Sequence, residues 1–372
     1  MHEASVSSSQ SYAQPMAPPD LKPVARPVDA YNDLLTSRVV SLGGAAAAKL
    51  PTFTISARLR GRSVLTDTDL ARDEIGELLD TATRLKAMRR AGQAHGYLAG
   101  KTLGLIFQHP STRTRVSFEA GMAQLGGQAI FLGMNDLQMK RGETIADTGQ
   151  VLGRYVDGLV ARVASHDDLV QLSTAAAVPV FNGLTDKCHP MQALSDLLTL
   201  HERFGGLAGV KLAYLGDGNN MCHSLLLAGA AMGVSVTVAS PAAYQPDHDV
   251  VAQANWLAAR GGGATTINVT NDPWQAVDQA DAVYTDVHVS MGHKDGPARA
   301  VALAPFKVTT SLMDVAKPSA VFMHCLPMHR DEEVEATVAD GPRSIIFDQA
   351  ENRLHLHKAV LLHTLCSPHA AF

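Results

Sequence analysis

From about residue 63 onward, the sequence alternates short apolar runs with longer segments of helical periodicity. The first such segment, residues 69–90, places its apolar side chains on one stripe of a helix. The stripe consists of Ile75, Leu78, Leu79, Ala82 and Leu85. Strand–helix–strand repetition with short apolar strands is typical of parallel sheets that are covered by helices on both faces. The pattern therefore predicts an α/β fold.

The alternation forms two successive series. The first predicts strands at 102–107, 129–132, 158–161 and 178–181 and helices at 112–125, 143–154 and 166–176. The second predicts strands at 210–215, 235–239, 265–268, 282–284, 320–324 and 344–347. A long helix at 189–204, ended by Gly205 and Gly206, joins the two series.

We expect two doubly wound parallel-sheet domains joined by interdomain helices. A last helix is predicted at residues 349–365, and we expect this C-terminal helix to return to the first domain. The expected bounds are 63–200 plus 349–366 for the first domain and 201–348 for the second. In such sheets, ligands bind at the carboxyl ends of the strands and in the crevice between domains.

The composition is that of a globular protein with sizeable cores. Of the 372 residues, 46% are hydrophobic and 18% are charged, and the net charge is −5. This balance indicates neither a nucleic-acid partner nor a membrane surface, and no apolar run reaches the roughly 18–20 residues of a membrane span. The four cysteines are far apart, so we expect free thiols in a reducing, cytoplasmic compartment.

The N-terminal 62 residues differ from the rest. Residues 1–30 are rich in Ser, Ala and Pro, which predicts disorder. Residues 34–62 contain five basic residues and no acidic one, as an organellar transit peptide would. Acidic residues precede this stretch, so a plain disordered tail is the alternative to mitochondrial or plastid targeting.

A pentad of hydroxyl and guanidinium side chains follows the predicted strand 102–107. It reads Ser111-Thr112-Arg113-Thr114-Arg115 and opens the predicted helix 112–125. Helix N-termini bind anions through unpaired N–H groups, and guanidinium forks suit phosphate. The alternative is that Ser111 only caps the helix and that Arg115 pairs with Glu119.

At this pentad the chain resembles the aspartate/ornithine carbamoyltransferase family, and the resemblance covers about residues 63–366. Further matches follow in the family's order. They are Arg162, His189-Pro190-Met191-Gln192, His324-Cys325-Leu326-Pro327 and Ala350-Glu351-Asn352-Arg353. The resemblance implies a transferase that needs no metal, no cofactor and no covalent nucleophile.

The resemblance also implies roles for these residues with carbamoyl phosphate. The phosphate would be held by Ser111, Thr112, Arg113, Thr114 and Arg353. The carbonyl oxygen would lie near Arg162, His189 and Thr114, and the carbamoyl NH2 near Gln192 and the Leu326 carbonyl. The implied catalytic set is Arg113, Arg162, His189, Asp286 and Cys325. The blander alternatives are that His189 caps a helix and that Arg353 is an ion-pair partner of Glu351 or Asp348.

A second group of residues suits a small zwitterion. Asn219 and Asn220 lie where a strand enters a helix, but the sequence there fails the G-x-G-x-x-G pattern of dinucleotide sites. The resemblance implies that Asn220, Asp286, Ser290 and Met291 bind ornithine, with Asp286 on its α-amino group. Where the family usually has Trp between Asp286 and Ser290, this chain has His288.

The implied reaction transfers the carbamoyl group of carbamoyl phosphate to the side-chain amine of L-ornithine, giving L-citrulline and phosphate in arginine metabolism. Other acceptors (putrescine, an N-acylornithine or aspartate) and a non-catalytic ligand-binding homologue are the alternatives. A zinc site at His324, Cys325 and His329 lacks a clear fourth ligand. The family implies a homotrimer in which a neighbour's loop, residues 133–143 with Gln138, reaches each site.

Overall fold

The computed structural model describes residues 58–261, 264–289 and 295–366. Almost all of the predicted N-terminal extension lies outside these ranges. The same holds for Ser290 and Met291 of the predicted ornithine site. Within the described ranges, no helix combines the length and the apolar character that crossing a bilayer requires.

The first half of the chain forms a parallel sheet with helices between its strands. Its elements are α1 (Arg72–Arg90), β1 (Thr102–Phe107), α2 (Thr112–Gln124), β2 (Gln128–Gly133), α3 (Ile145–Leu152), β3 (Gly158–Arg162), α4 (His166–Ala176) and β4 (Val180–Leu184). The strand order is β2-β1-β3-β4, and every pair is parallel. The register aligns Phe107 with Gly133 and Arg162, so the segments that follow β1 and β3 share one edge.

Helix α5 (Pro190–Phe204) leads into a second parallel sheet. Its elements are β5 (Lys211–Leu215), α6 (Asn220–Met232), β6 (Ser235–Ala239), α7 (His248–Arg260), β7 (Ile267–Thr270), α8 (Pro273–Val277), β8 (Ala282–Thr285), α9 (Gly296–Leu303), α10 (Thr310–Val315), β9 (Val321–His324) and α11 (Ala336–Ala339). The strand order is β7-β6-β5-β8-β9. Leu215, Thr285 and His324 end adjacent strands in register.

The last helix, α12 (Ile346–Leu365), returns to the first half and packs against α1, α2 and α5. Polar contacts fix it there. Ser117 Oγ lies 2.9 Å from His357 Nδ1, Thr81 Oγ1 lies 2.9 Å from His363 Nε2, and the His357 ring stacks on Phe118. The predicted fold class is confirmed, including this return.

The predicted strand at 344–347 is wrong. Ser344 forms only an isolated bridge with Phe322, and α12 begins at Ile346. The run Ile345-Ile346-Phe347 is apolar, but Phe347 is exposed whereas Ile346 is buried. A short apolar run of this kind does not distinguish a strand from the first turn of a helix.

Candidate active site

The pentad forms the N-terminus of α2, as predicted. Ser111 has extended backbone angles, and its Oγ accepts a hydrogen bond from the Thr114 N–H at 3.3 Å. Arg115 is exposed, pairs with Glu119 at 3.0 Å and lies over the Phe131 ring. The capping of Ser111 and the surface pairing of Arg115 are therefore both confirmed. These contacts leave the Arg113 guanidinium uninvolved.

Three guanidinium groups gather beside the pentad without a carboxylate partner. Arg353 is buried and donates from Nη2 to Thr114 Oγ1 at 2.6 Å, and Arg162 donates from Nη1 to the Gly183 carbonyl at 3.4 Å. Among the described residues, no carboxylate lies within ion-pairing distance of Arg113, Arg162 or Arg353. Each has a buried Nε with no hydrogen-bond partner there. The alternative interpretation, that Arg353 is an ion-pair partner of Glu351 or Asp348, is wrong.

The pKa values of these arginines follow from that arrangement. Burial, and then Arg113, lowers the pKa of Arg162 to about 10. Burial, followed by Arg113 and Arg162, lowers the pKa of Arg353 to about 10. Buried like charges repel, and a bound dianion would relieve both the repulsion and the unsatisfied donors. The cluster therefore has the electrostatics of a phosphate site.

His189 precedes α5 and faces the same cluster. Its backbone N–H donates to Ser224 Oγ at 2.7 Å, its side chain makes no capping bond, and its buried Nδ1 has no partner among the described residues. The capping interpretation of the ring is therefore wrong. Burial, followed by Arg353 and Arg162, holds the pKa of His189 well below its usual range. The imidazole is neutral at physiological pH.

Gln192 lies on the first turn of α5 and is buried. Its Nε2 donates to Asp196 Oδ1 at 2.8 Å, whereas its Oε1 is buried without a partner in the described part of the chain. The amide therefore offers an acceptor to the site.

On the second sheet, Asp286 follows β8 and is held by three donors. Its Oδ2 accepts from Asn219 Nδ2 at 2.9 Å, and its Oδ1 accepts from the Val287 N–H at 2.8 Å and from Cys325 Sγ at 3.1 Å. Burial, and then Asp286, raises the pKa of the Cys325 thiol well above its usual range. Cys325 is therefore a neutral thiol that donates to a carboxylate.

The two sheets contribute to one site. Burial lowers the pKa of Arg113, and Cys325 and Asp286 partly offset this effect, so these residues of the second sheet lie within electrostatic reach of the pentad. Asn220 donates from Nδ2 to the carbonyl of Thr185, which follows β4 of the first sheet, at 2.6 Å. The structure therefore brings Arg113, Arg162, His189, Asp286 and Cys325 together at the carboxyl ends of both sheets.

Comparison with known proteins agrees with this geometry. The family model described as "Aspartate/ornithine carbamoyltransferase, carbamoyl-P binding domain" matches residues 62–202, and the one described as "Aspartate/ornithine carbamoyltransferase, Asp/Orn binding domain" matches residues 208–364. The chain belongs to the aspartate/ornithine carbamoyltransferase family. The family membership predicted from the motifs is confirmed.

Individual carbamoyltransferases are similar over most of their length. The chain is 53% identical to the ornithine carbamoyltransferase of Symbiobacterium thermophilum over 82% of this chain and 97% of that protein. It is 51% identical to a Pyrococcus furiosus relative named "Ornithine carbamoyltransferase, anabolic", over 82% of this chain and 96% of that protein. The solved structure of ornithine carbamoyltransferase from Pyrococcus furiosus covers 84% of this chain and 99% of its own, with a TM-score of 0.80 and 49% identity.

The segment after Cys325 has an unusual backbone. Leu326 has a φ of +61°, the Leu326-Pro327 bond is cis, and the Leu326 N–H donates to His324 Nδ1 at 2.8 Å. The other ring nitrogen, His324 Nε2, lies 3.3 Å from the Glu333 carboxylate. The hydrogen bond from the Leu326 N–H therefore joins the His324 ring to the turn at Leu326.

His288, in the family's usual Trp position, is buried. Burial lowers its pKa to about 4, so it is neutral, and its ring packs against Gly216 at the end of β5. The position is thus filled by an uncharged aromatic ring that is smaller than an indole.

Two groups of side chains in the described ranges have metal-ligand spacing. One is Asp286, His324 and Cys325 within the site, and the other is His329, Glu332 and Glu333 beside it. In the first group His324 Nδ1 already accepts from the Leu326 N–H, and the Cys325 thiol keeps its proton. A metal would have to displace these contacts, which fits the site poorly.

The structure adds one contact and one residue that sequence reasoning missed. Asn219, already expected at the acceptor site, donates to Asp286, and Asp196, which the sequence analysis does not name, accepts from Gln192 Nε2. Asp196 lies four residues after Gln192 on the same helix face, which is a signal the sequence contains. Gln138, the predicted neighbour-loop residue, lies exposed in a short 3-10 turn, Gln138–Arg141, after β2.

Proposed function

We propose that the protein transfers the carbamoyl group of carbamoyl phosphate to the side-chain amine of L-ornithine, giving L-citrulline and phosphate. The observation that carries this proposal is the cluster of Arg113, Arg162 and Arg353, which lacks carboxylate partners among the described residues and lies within electrostatic reach of Asp286. The names of the relatives, at about half identity over most of the chain, support ornithine as the acceptor.

The phosphate end of the first substrate would be bound at the start of α2. Ser111, Thr112 and Thr114 supply hydroxyl and backbone N–H donors, and Arg113 and Arg353 supply guanidinium forks. Arg353 is buried, Arg113 is half-buried, and neither has a carboxylate partner in the described ranges, so their attraction for a dianion is only partly screened by water. This accounts for selection of a phosphorylated substrate.

The reacting carbonyl would lie beside Arg162, His189 and Thr114. As the amine nitrogen attacks the carbonyl carbon, negative charge develops on the carbonyl oxygen, and positioned donors stabilise it. The bond to the phosphate oxygen then breaks, and the departing phosphate takes the proton that the amine loses. No protein base is required, and the neutral His189 acts as a hydrogen-bond donor.

The acceptor would be held from the second sheet. Asp286 offers a carboxylate to the α-amino group of ornithine, and Asn220 offers an amide beside it. Ser290 and Met291 are proposed to complete this site. Cys325 donates to Asp286 and thereby orients that carboxylate, while the Leu326 carbonyl is proposed to accept from the carbamoyl NH2.

The test is a steady-state comparison of ornithine, N-acetylornithine, putrescine and aspartate as acceptors. We expect kcat/KM to be highest for ornithine by at least about 100-fold. N-acetylornithine lacks the charged α-amino group that Asp286 would pair with, putrescine lacks the α-carboxylate, and aspartate has no side-chain amine. An equal or higher value for another acceptor would reassign the substrate. No carbamoyl transfer to any of them would instead favour a non-catalytic ligand-binding role.

We also propose a homotrimer in which Gln138 of one subunit reaches the site of its neighbour. The exposed position of Gln138 on the turn after β2 is consistent with this. Light scattering gives the mass, and mixing Gln138→Ala subunits with Arg113→Met subunits tests the sharing. Complementation in the mixture is expected only if the site is built from two subunits.

The domain bounds given above stay a proposal. We also propose a cytoplasmic location; the alternative is targeting to a mitochondrial or plastid matrix, with cleavage of the N-terminal segment. Mass spectrometry of the N-terminus of the protein from its native cells tests the alternative. An intact N-terminus supports the cytoplasmic location, whereas removal of the first tens of residues supports a transit peptide.

A further inference from the structure

Asp196 is a buried carboxylate at the centre of a hydrogen-bond network that joins α5, α12 and the second sheet. It lies on α5 with no solvent exposure. Its Oδ1 accepts from Gln192 Nε2 and from Gln349 Nε2, each at 2.8 Å, and its Oδ2 accepts from the Tyr284 hydroxyl at 3.0 Å. Tyr284 belongs to β8 and Gln349 to α12, so three separate elements converge on this one side chain.

The chemistry of Asp196 determines the orientation of Gln192. The two ends of a glutamine amide have almost the same shape, so hydrogen-bond partners decide which end points where. Burial raises the pKa of Asp196 to about 7, so its ionised form predominates above that pH. The ionised carboxylate only accepts, and it therefore holds the NH2 end of Gln192. The Oε1 of Gln192 then faces away from Asp196, buried and without a partner in the described part of the chain. A buried acceptor of this kind favours a ligand that brings an N–H donor.

The same carboxylate orients a second amide. Because Gln349 Nε2 donates to Asp196, its Oε1 is free to accept from the His324 N–H, at 2.9 Å. His324 ends β9 and immediately precedes Cys325 and Leu326. Two groups are proposed to contact the carbamoyl NH2, and Asp196 helps to position both. It binds Gln192 directly. It reaches the Leu326 carbonyl indirectly, through Gln349 and His324.

We propose that Asp196 is a positioning residue that makes the site select carbamoyl phosphate over acyl phosphates of the same shape, by fixing the Gln192 amide so that Oε1 accepts from the carbamoyl NH2. The inference rests on the proposed function. It explains in addition how the site would distinguish an NH2 group from a methyl group on the reacting carbon.

The probes are phosphonoacetamide and acetonylphosphonate, which differ only in carrying NH2 or CH3 on the carbonyl, together with inorganic phosphate. Dissociation constants are measured by calorimetry on the assembled protein. In the unsubstituted protein we expect phosphonoacetamide to bind at least about tenfold more tightly than acetonylphosphonate, which corresponds to one or two hydrogen bonds. In Asp196→Leu, which has similar volume but no acceptor, the ratio should fall to within about twofold of one, while the dissociation constant of phosphate changes less than about threefold.

The matched control is Asp196→Asn. Its remaining oxygen can still accept from Gln192 and Gln349, and its new NH2 can donate to the Tyr284 hydroxyl, which rotates to accept. The discrimination should therefore persist in Asp196→Asn. A role in stability alone predicts instead that Asp196→Leu weakens all three ligands together.

Gln192→Met provides a test that does not depend on the folding of Asp196→Leu, because it removes the amide itself and should also abolish the discrimination. Retention of the tenfold ratio in either Asp196→Leu or Gln192→Met overturns the proposal, as does parallel loss of phosphate binding in Asp196→Leu. Failure of the proposed function gives a different result, since the unsubstituted protein would then form no citrulline and prefer neither probe.

Discussion

The Cys325 thiol donates a hydrogen bond to Asp286 Oδ1 over 3.1 Å, and Asn219 Nδ2 donates to the other carboxylate oxygen over 2.9 Å. Burial, and then the nearby Asp286 carboxylate, raise the pKa of the Cys325 thiol. The thiol is therefore the neutral donor of this pair, and the carboxylate is the charged acceptor. We therefore expect Cys325 to orient the carboxylate rather than to attack the substrate.

Substitution of Cys325 should accordingly separate its donor role from its bulk. We expect Cys325→Ser to keep kcat/KM for ornithine within about fivefold, since its hydroxyl also donates to Asp286, and Cys325→Ala to lower it by about 10- to 30-fold. Steady-state kinetics with saturating carbamoyl phosphate measures both. A covalent role for the thiol predicts instead that the serine and alanine variants are equally inactive.

Removal of the Arg353 guanidinium should weaken phosphate binding and stabilise the ligand-free protein. Arg353 is buried with two other guanidiniums that lower its pKa, so Arg353→Met removes both a desolvated charge and the repulsion. We expect the melting temperature of the ligand-free protein to be equal or higher. The increase in melting temperature that phosphate causes should shrink, and kcat/KM for carbamoyl phosphate should fall by at least about 100-fold.

Arg115→Met is the control for Arg353→Met, because Arg115 belongs to the same pentad but pairs with Glu119 on the surface. It should leave the phosphate-induced increase intact. If phosphate raised the melting temperature equally little in both variants, Arg115 would belong to the phosphate site, which contradicts its assignment to the surface.

The dependence of rate on pH should reflect the substrate rather than His189. Burial and the adjacent arginines hold the pKa of His189 well below its usual range, so the ring does not gain a proton near neutral pH. The side-chain amine of ornithine has a pKa near 10, and only its neutral form attacks. We expect kcat/KM for ornithine to rise about tenfold per pH unit at the acidic end of this range. A flat profile would show that proton loss from the amine does not limit the rate.

The sequence predicts features that depend on a short stretch of chain. It does not predict contacts between residues that are far apart in the chain. The pentad and Asp286 were found because each follows an apolar strand of a parallel sheet. The contact of Tyr284 with Asp196 joins residues 88 positions apart, and only the packing of β8 against α5 creates it. Helix α7 was missed although Val250, Ala254 and Ala258 are spaced on one buried face.

Stability should vary with pH through Asp67, a buried carboxyl outside the substrate site. Its Oδ2 accepts from Ser224 Oγ, which in turn accepts from the His189 N–H, so Asp67 lies at the end of a chain that holds the start of α5. Burial raises its pKa to about 7, against about 3.9 in an unfolded chain. Between these values the folded protein binds more protons than the unfolded one. The free energy of unfolding therefore decreases as pH rises through this window.

Asp67→Asn removes this titration and keeps an oxygen to accept from Ser224. At pH 5 the carboxyl is protonated in the folded protein but mostly ionised in the unfolded chain, so only the lower part of this window has been passed and the variant should melt only slightly higher than the unsubstituted protein. At pH 8 the variant should melt higher by about 2–6 °C, as measured by circular dichroism. Asp73→Asn is the control, because Asp73 is exposed and the hydrogen bond from Arg58 lowers its pKa, so it should bring no gain at pH 8. A difference between Asp67→Asn and the unsubstituted protein that is the same at both pH values would show that Asp67 does not titrate in this range.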